Sequence, residues 1–506
     1  MLIGPLFLAA AISSLRVASA DGSALVARQG TELPGPLTDP RVASMLADIP
    51  GFGPLPNFTD VVTNATLPVD DIQADILVGM WKKKERFYFF KINNATLFKA
   101  GLHNTVVAEI TSVKKILTVS TQPQVAVNLA FSQAGLTKLG KTDNLNDTVF
   151  SAGQAADANF LGDPGTNGWE PTFVATSSLH GVILLASDTT TLIDTQVAHL
   201  EAVWGSSITK LYELQGAIRP GAEEGHEMFG YKDGIAQPAV FGFNLVPYPG
   251  QLAVPAGIIL TGEAGDTVTR PSWTKDGSFM AFRKLRQYVP EFNNFVVSDA
   301  PPVANKTTAE SIAIFGSRLV GRWKSGAPID KTPLVDDPVM AADPYQNNNF
   351  DFFHLLSNFT SDQSHCPFAA HIRKTRPRDD LPTGALNTIM RAGIPYGPEP
   401  SNSELTNGAT TQDRGLAFVA YQSQIAQGFQ FLQHSWANTP TFVPGKNVQP
   451  GFDPIIGANA GNDRWAVGTD IANPTGNLTF PVFIKSNGGE YFFVPSISAI
   501  RDTLSV

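Results

Sequence analysis

The chain of 506 residues is 43% hydrophobic and 16% charged, with 44 Gly and 37 Pro. That composition excludes intrinsic disorder and supplies two or more turn-rich domains of ordinary size. A formal net charge of −9 with a pI near 5.4 argues against a nucleic-acid partner, because phosphate-backbone binding draws on Lys/Arg patches. In chain order, residues 2–12 are mostly apolar and Ala18-Ser19-Ala20 has the small-residue pattern of a cleavage site. Residues 1–20 are therefore predicted to be a secretory signal, the apolar run falling short of the ~20 residues a membrane span needs. No later segment is long enough to span a membrane. Residues 21–60, rich in Pro, Gly and small polar residues, read as a pro-segment or flexible leader. Seven Asn-x-Ser/Thr triplets, at Asn57, Asn64, Asn94, Asn146, Asn305, Asn358 and Asn477, fit a glycosylated extracellular protein. The single cysteine, Cys366, excludes an intrachain disulfide framework and reads as a small buried side chain.

Beyond the leader, strands and helices alternate. Apolar runs at 76–80, 87–90, 125–131 and 181–186 are predicted strands. Ser132 is placed to cap a short helix through Leu139. A second helix is predicted from Asp188, with Leu192, Ile193, Val197 and Leu200 on one face. A Gly/Pro-rich stretch at 247–269 is the expected boundary between two halves, 61–255 and 256–506. The second half repeats the grammar: a strand at 279–282, a helix towards Val296, a strand at 416–421 and a helical stretch over 425–432. The echo of Leu129-Ala130-Phe131 in Leu416-Ala417-Phe418 fits two related α+β halves whose sheets are covered by helices on one face.

Few residues invite chemistry. His226-Glu227-Met228-Phe229-Gly230 begins like a zinc-protease motif, but glycine stands where the second imidazole is required. A Gly-rich phosphate loop and a Gly-x-Ser-x-Gly elbow are both missing. His371 lies in a cation-rich run, Ala369-Ala370-His371-Ile372-Arg373-Lys374-Thr375-Arg376-Pro377-Arg378, where a neutral imidazole could ligate a haem iron and nearby cations could meet porphyrin carboxylates. Arg391 stands in an apolar setting that demands a counter-charge. Asp233 sits in a glycine-bracketed turn, Gly230-Tyr231-Lys232-Asp233-Gly234. Taken singly, each also has an ordinary structural reading: a surface histidine, a salt bridge, an Asp-Gly turn.

The Gly230–Gly234 pentapeptide, continued by Ile235-Ala236-Gln237-Pro238, resembles the Gly-x-x-Asp-Gly signature of the dye-decolorizing peroxidases, a family of haem enzymes. Segments 321–328, 366–378, 391–397 and 415–433 are similar to that family in order and character, and the likeness runs from about residue 60 to the C-terminus. It implies an α+β fold of two ferredoxin-like halves with antiparallel sheets covered by helices, and one haem b held mainly by the second half. His371 then occupies the proximal iron-ligand position, in preference to its neighbour His365, with Asp453 as its hydrogen-bond partner. Asp233 matches the catalytic aspartate and Arg391 the distal arginine. Leu416 and Phe418 match positions beside the distal pocket, Arg373 is expected at a haem propionate, and Arg322 has an anchoring role at most. Trp436 and Tyr396 match surface positions that pass electrons to bulky substrates. The partners implied are hydrogen peroxide and aromatic reductants or dyes, with activity favoured in acid because an aspartate (reference pKa ~3.9) remains a base where a histidine (~6.5) is protonated. A haem carrier of the same fold with little turnover and a non-haem secreted glycoprotein are the alternatives.

Overall fold

The computed structural model describes residues 65–80, 83–118, 122–243, 247–382 and 384–506. The expected signal and leader, with Asn57 and Asn64, lie outside the described residues. Each of the other five sequon asparagines is exposed. No described helix is long and apolar enough to cross a membrane.

The sheet starts from an alternation of aromatic residues. On β1 (Lys84–Ile92), Phe87 and Phe89 point into one core while Tyr88 and Phe90 point into another, the period-2 pattern of a strand buried on both faces. Antiparallel pairing adds β2 (Val125–Phe131), β3 (Gly181–Ser187) and β4 (Ile208–Ala217) in the order β2-β3-β1-β4. The later strands are β5 (Ser278–Gln287), the two short pieces β6 (Met390–Arg391) and β7 (Ile394–Tyr396), β8 (Gly415–Gln422) and β9 (Ile484–Val494). They pair as β7-β8-β5-β9. Each set of four thus has the same order, second-third-first-fourth, which is the antiparallel arrangement expected of a ferredoxin-like half.

The two half-sheets do not stay separate. They join edge to edge at Phe493 with Phe131 and at Gly216 with Tyr396, closing the sheet and leaving none of these eight strands with a free edge. Gly216 is needed there: a Cβ would lie 2.5 Å from Ile394 Cγ2. Inside the barrel, Phe87, Phe89, Phe282 and Phe492 pack ring to ring at 5.0–6.1 Å. On the outside of the first half lies a helix, Thr190–Trp204, that buries Ile193, Leu200 and Trp204. The corresponding outer face of the second half carries Leu285, Leu416 and Phe418, and these side chains line a cavity.

Three predicted elements are corrected. Residues 76–80 are not a strand: Ala74–Leu77 is a helical turn, buried on every side, and a short all-apolar run has no periodicity to separate the two forms. Its position is set by the Gln73 amide, which donates to Leu129 O at 2.9 Å and Pro495 O at 2.8 Å. The second helix starts two residues later than expected, at Thr190, with Thr189 as its cap. Over 425–432 the chain first makes a turn, tied down by Ile425 N–H donating to Asp147 at 2.9 Å. Helix begins only at Phe429 and continues as a π-helix over Leu432–Ala437. The Ser132 cap, with Gly135 N–H donating to its hydroxyl at 3.1 Å, is as predicted.

Candidate active site

A cavity of about 280 Å³ (the volume swept by the centre of a water molecule) opens against the outer face of β5 and β8. Its walls combine apolar side chains, among them Leu285, Ile372, Leu416, Phe418, Ile455 and Ile456, with few polar groups. His371, Asp233 and Arg391, separated by up to 158 residues in sequence, all face it.

His371 is the first residue of a one-turn helix, His371–Thr375. Its Nδ1 lies 2.8 Å from Asp453 Oδ2. The Asp453 side chain is fully buried, and its other oxygen accepts from the N–H groups of Ile455 (2.8 Å) and Ile456 (3.0 Å). Burial alone would raise the Asp453 pKa, but His371 and these donors hold it below the ordinary carboxylate range. Burial alone would lower His371, and Asp453 outweighs it and raises the imidazole. With Nδ1 engaged, Nε2 is the nitrogen left for the cavity, and the carboxylate makes it a better electron donor. Three residues on, Lys374 Nζ donates to the carbonyls of Thr439, Phe442 and Gly451 at 2.5–2.8 Å, fastening the helix to the segment that leads into Asp453.

Asp233 follows a tight hairpin in which Glu227 N–H donates to Tyr231 O (3.0 Å) and Gly230 N–H to Glu227 O (2.9 Å). The hairpin closes because Gly230 takes φ 88°, a conformation costly for other residues. The Glu227 carboxylate, the tempting member of the false zinc motif, accepts from Phe229 N–H and Tyr231 N–H, both at 2.9 Å. Arg391 Nη1 donates to Asp233 Oδ1 at 2.6 Å. Burial pushes the Asp233 pKa up, but Arg391, the Gly234 N–H and His371 together pull it below its ordinary value. An ionised carboxylate and a guanidinium therefore share one wall, close enough to the imidazole for their charges to be felt there.

The cavity also holds cations that lack acidic partners. Arg322, Arg376 and Arg378 line it, and among the described residues none of the three is in an ion pair. Arg322 donates to the carbonyls of Gly326 (2.9 Å) and Asn347 (2.6 Å), and Arg378 to those of Gly250 (3.0 Å) and Phe350 (2.7 Å). Burial, with repulsion from Arg391, pushes Arg322 down to about 9; burial, with repulsion from Arg322 and Arg376, does the same to Arg378, and burial lowers Arg376 as well. Unpaired buried guanidinium groups call for anionic ligand groups. A haem brings an iron for the imidazole, an apolar macrocycle for the walls and carboxylates for these arginines, so the donor set fits it.

Several expected residues sit elsewhere. Arg373 does not line the cavity. Its guanidinium is committed to Asp380 (2.6 and 3.0 Å) and to Cys366 O at 2.7 Å, so it is not free to meet the carboxylate of a ligand in the cavity. Trp436 and Tyr396 are not surface residues, each being 3% exposed. Trp436 stacks on Phe442 with centroids 5.0 Å apart, and Tyr396 donates its hydroxyl to Asp413 at 3.2 Å. His365 stacks on His354 at 3.7 Å and bonds Asp330 O, away from the cavity. The Cys366 thiol, buried, is pushed up to about 12, which suits packing rather than nucleophilic chemistry. Arg376 and Arg378 belong to the basic run that the sequence marks as suited to carboxylates, but only Arg373 was singled out from it, because nothing local distinguishes a paired arginine from an unpaired one; Gln237 was given no role.

Comparison with known proteins identifies the family of the chain. The DyP dimeric alpha+beta barrel domain matches residues 71–220, and the Dyp-type peroxidase C-terminal domain matches residues 259–441. A dye-decolorizing peroxidase of Exidia glandulosa is 53% identical over 474 residues, 93% of this chain and 94% of that one. One from Auricularia auricula-judae is 50% identical over 514 residues, the whole of both chains. The crystal structure of a fungal DyP-type peroxidase from Auricularia auricula-judae superposes with a TM-score of 0.85 at 53% identity, covering 87% of this chain and 100% of that one. A closed antiparallel barrel, an imidazole held by a buried carboxylate and an Asp–Arg pair on one cavity wall are thus found in a chain that belongs to the dye-decolorizing peroxidase family.

Proposed function

We propose that this peroxidase oxidises dyes and phenolic or other aromatic compounds in one-electron steps, with one haem b per chain held by His371. The observation that carries the reading is the Asp233–Arg391 pair at 2.6 Å on the cavity that His371 also faces. Haem, when bound, supplies an iron centre that accepts two oxidising equivalents from hydrogen peroxide. The protein handles the protons. Ionised Asp233 takes the proton from one peroxide oxygen and returns it to the other, which leaves as water. Arg391 stabilises the negative charge that builds on the departing oxygen. Asp453 keeps the His371 ring oriented and basic, and Arg322, Arg376 and Arg378 would hold the propionates. Leu416 and Phe418 narrow the cavity, so that small reductants enter while bulky dyes stay outside and give up electrons along a path on which Trp436 and Tyr396, both buried, would be internal relays rather than points of contact. The N-terminal signal and exposed sequons (Asn94, Asn146, Asn305, Asn358 and Asn477) support a secreted glycoprotein.

Asp233→Asn tests the reading. The variant should retain its haem absorbance while its reaction with hydrogen peroxide slows by roughly 10²–10⁴-fold, the range for loss of a positioned acid–base group. A variant that consumed peroxide at the parent rate would remove Asp233 from the mechanism.

A further inference from the structure

Arg391 stands on a strand fragment of two residues, Met390–Arg391. One side of the fragment pairs with β8, through Ala420 and Tyr421, and the next residue, Ala392, donates its N–H to Val419 O at 3.0 Å. The backbone groups of Arg391 itself face the other way, where no strand of the described residues pairs. A side chain fills that place: Arg391 N–H donates to Gln237 Oε1 at 3.1 Å, and Gln237 Nε2 donates to Arg391 O at 2.5 Å. This reciprocal pair is the ring of two hydrogen bonds that a neighbouring antiparallel strand would make. Gln237 is 8% exposed, and its own carbonyl accepts from Gln251 Nε2 at 3.0 Å. It also belongs to the loop that carries Asp233, four residues earlier.

We propose that Gln237 is a positioning residue for the peroxide reaction, its amide standing in for a strand so that the Arg391 backbone is fixed to the Asp233 loop. The inference rests on the proposed roles of Asp233 and Arg391. Two flexible side chains cannot alone hold a 2.6 Å contact without loss of rotamer entropy. Tying the arginine's backbone to the loop removes most of that freedom before the side chains meet. Displacement of such a group by about 1 Å can cost about 10²-fold in rate.

Two variants test this in the holoenzyme. Gln237→Leu keeps the volume but removes both bonds. Its rate constant with hydrogen peroxide should fall by about 10–10²-fold, hydrogen exchange at residues 390–392 should quicken, and the acid limb of the rate profile should move to higher pH as Arg391 withdraws from Asp233. Gln237→Glu supplies the discriminating readout. Below its reference pKa of ~4.3, a protonated carboxyl offers one donor and one acceptor like the amide, so the rate relative to wild type should recover on acidification and fall as the carboxylate forms against Arg391 O. Should Gln237→Leu fail to retain haem, the Gln237→Glu profile decides alone. A wild-type rate and wild-type acid limb in Gln237→Leu, or a Gln237→Glu ratio that does not change with pH, would overturn the proposal. Asp233→Asn measured in parallel separates the two ideas: slow Asp233→Asn with normal Gln237→Leu removes the positioning role and leaves the proposed function intact.

Discussion

The Asp233 side chain is 39% exposed towards the open cavity, and it is held ionised chiefly by the Arg391 guanidinium, with the Gly234 N–H and the His371 charge adding to it, so its pKa lies below the ordinary value. The sign follows directly. An acid whose folded pKa is depressed stays a base at lower pH, and the peroxide step should persist into acid until that depressed value is reached. Replacing Arg391 by Leu removes the nearest positive charge, raises the Asp233 pKa and should shift the acid limb of the peroxide rate towards neutrality, in addition to lowering the plateau. A profile measured by rapid mixing from pH 3 to 7 would show it; a lowered plateau with an unmoved limb would mean that the pair is not coupled. Asp233, Arg391, His371 and Asp453 were each legible in their motifs. Gln237 was visible in the same motif without a role, because its function is a bond to a backbone 154 residues away.

Among the elements, the π-helix Leu432–Ala437 connects the cavity to the outer layers. Leu432 and Gln433 line the cavity, and Leu432 also packs in one apolar cluster with Trp436, Phe442 and Phe431. The wider winding of a π-helix, frequent at functional sites, places residues of one turn on both surfaces. If electrons leave through Trp436, Trp436→Phe should lower turnover of large dyes by about tenfold or more and spare small phenols that enter the cavity. Equal losses on both classes, compared at matched haem content, would assign the residue to packing. The sequence placed helix here but started it too early, since the turn before it depends on Asp147, a partner from the other half of the chain.

At the scale of the molecule, the barrel buries carboxyl groups without cations. Asp75 and Glu490 are each 2% exposed, and burial raises both to about 7. A carboxyl raised on folding contributes stability that is present below its unfolded pKa and is lost as pH rises through the folded value. Thermal stability should therefore fall between about pH 4 and pH 7, by on the order of a few kcal/mol in total. Melting temperatures across that window would check it, and Glu490→Gln should flatten the slope; a melting temperature that rises towards neutrality would contradict the assignment. The Asp233–Arg391 pair stays ionised over the same window, so the proposed peroxide step remains available in the acid range where the fold is most stable.

The sequence alone determined the α+β class, most strands and the Ser132 cap through local signals, side-chain periodicity and turn residues. It singled out His371, Asp233, Asp453 and Arg391 through the likeness of whole motifs to one family, since each residue by itself also had an ordinary structural reading. Closure of two half-sheets into one barrel was settled by two edge contacts, Phe493 with Phe131 and Gly216 with Tyr396, which no local pattern announces. Tertiary structure also decided that Arg373 is neutralised by Asp380 while Arg322, Arg376 and Arg378 are not, and that Trp436 and Tyr396 are buried. The physical reason is common to all of these: burial and charge pairing are properties of neighbours in space, and the neighbours of these residues are assembled from distant parts of the chain.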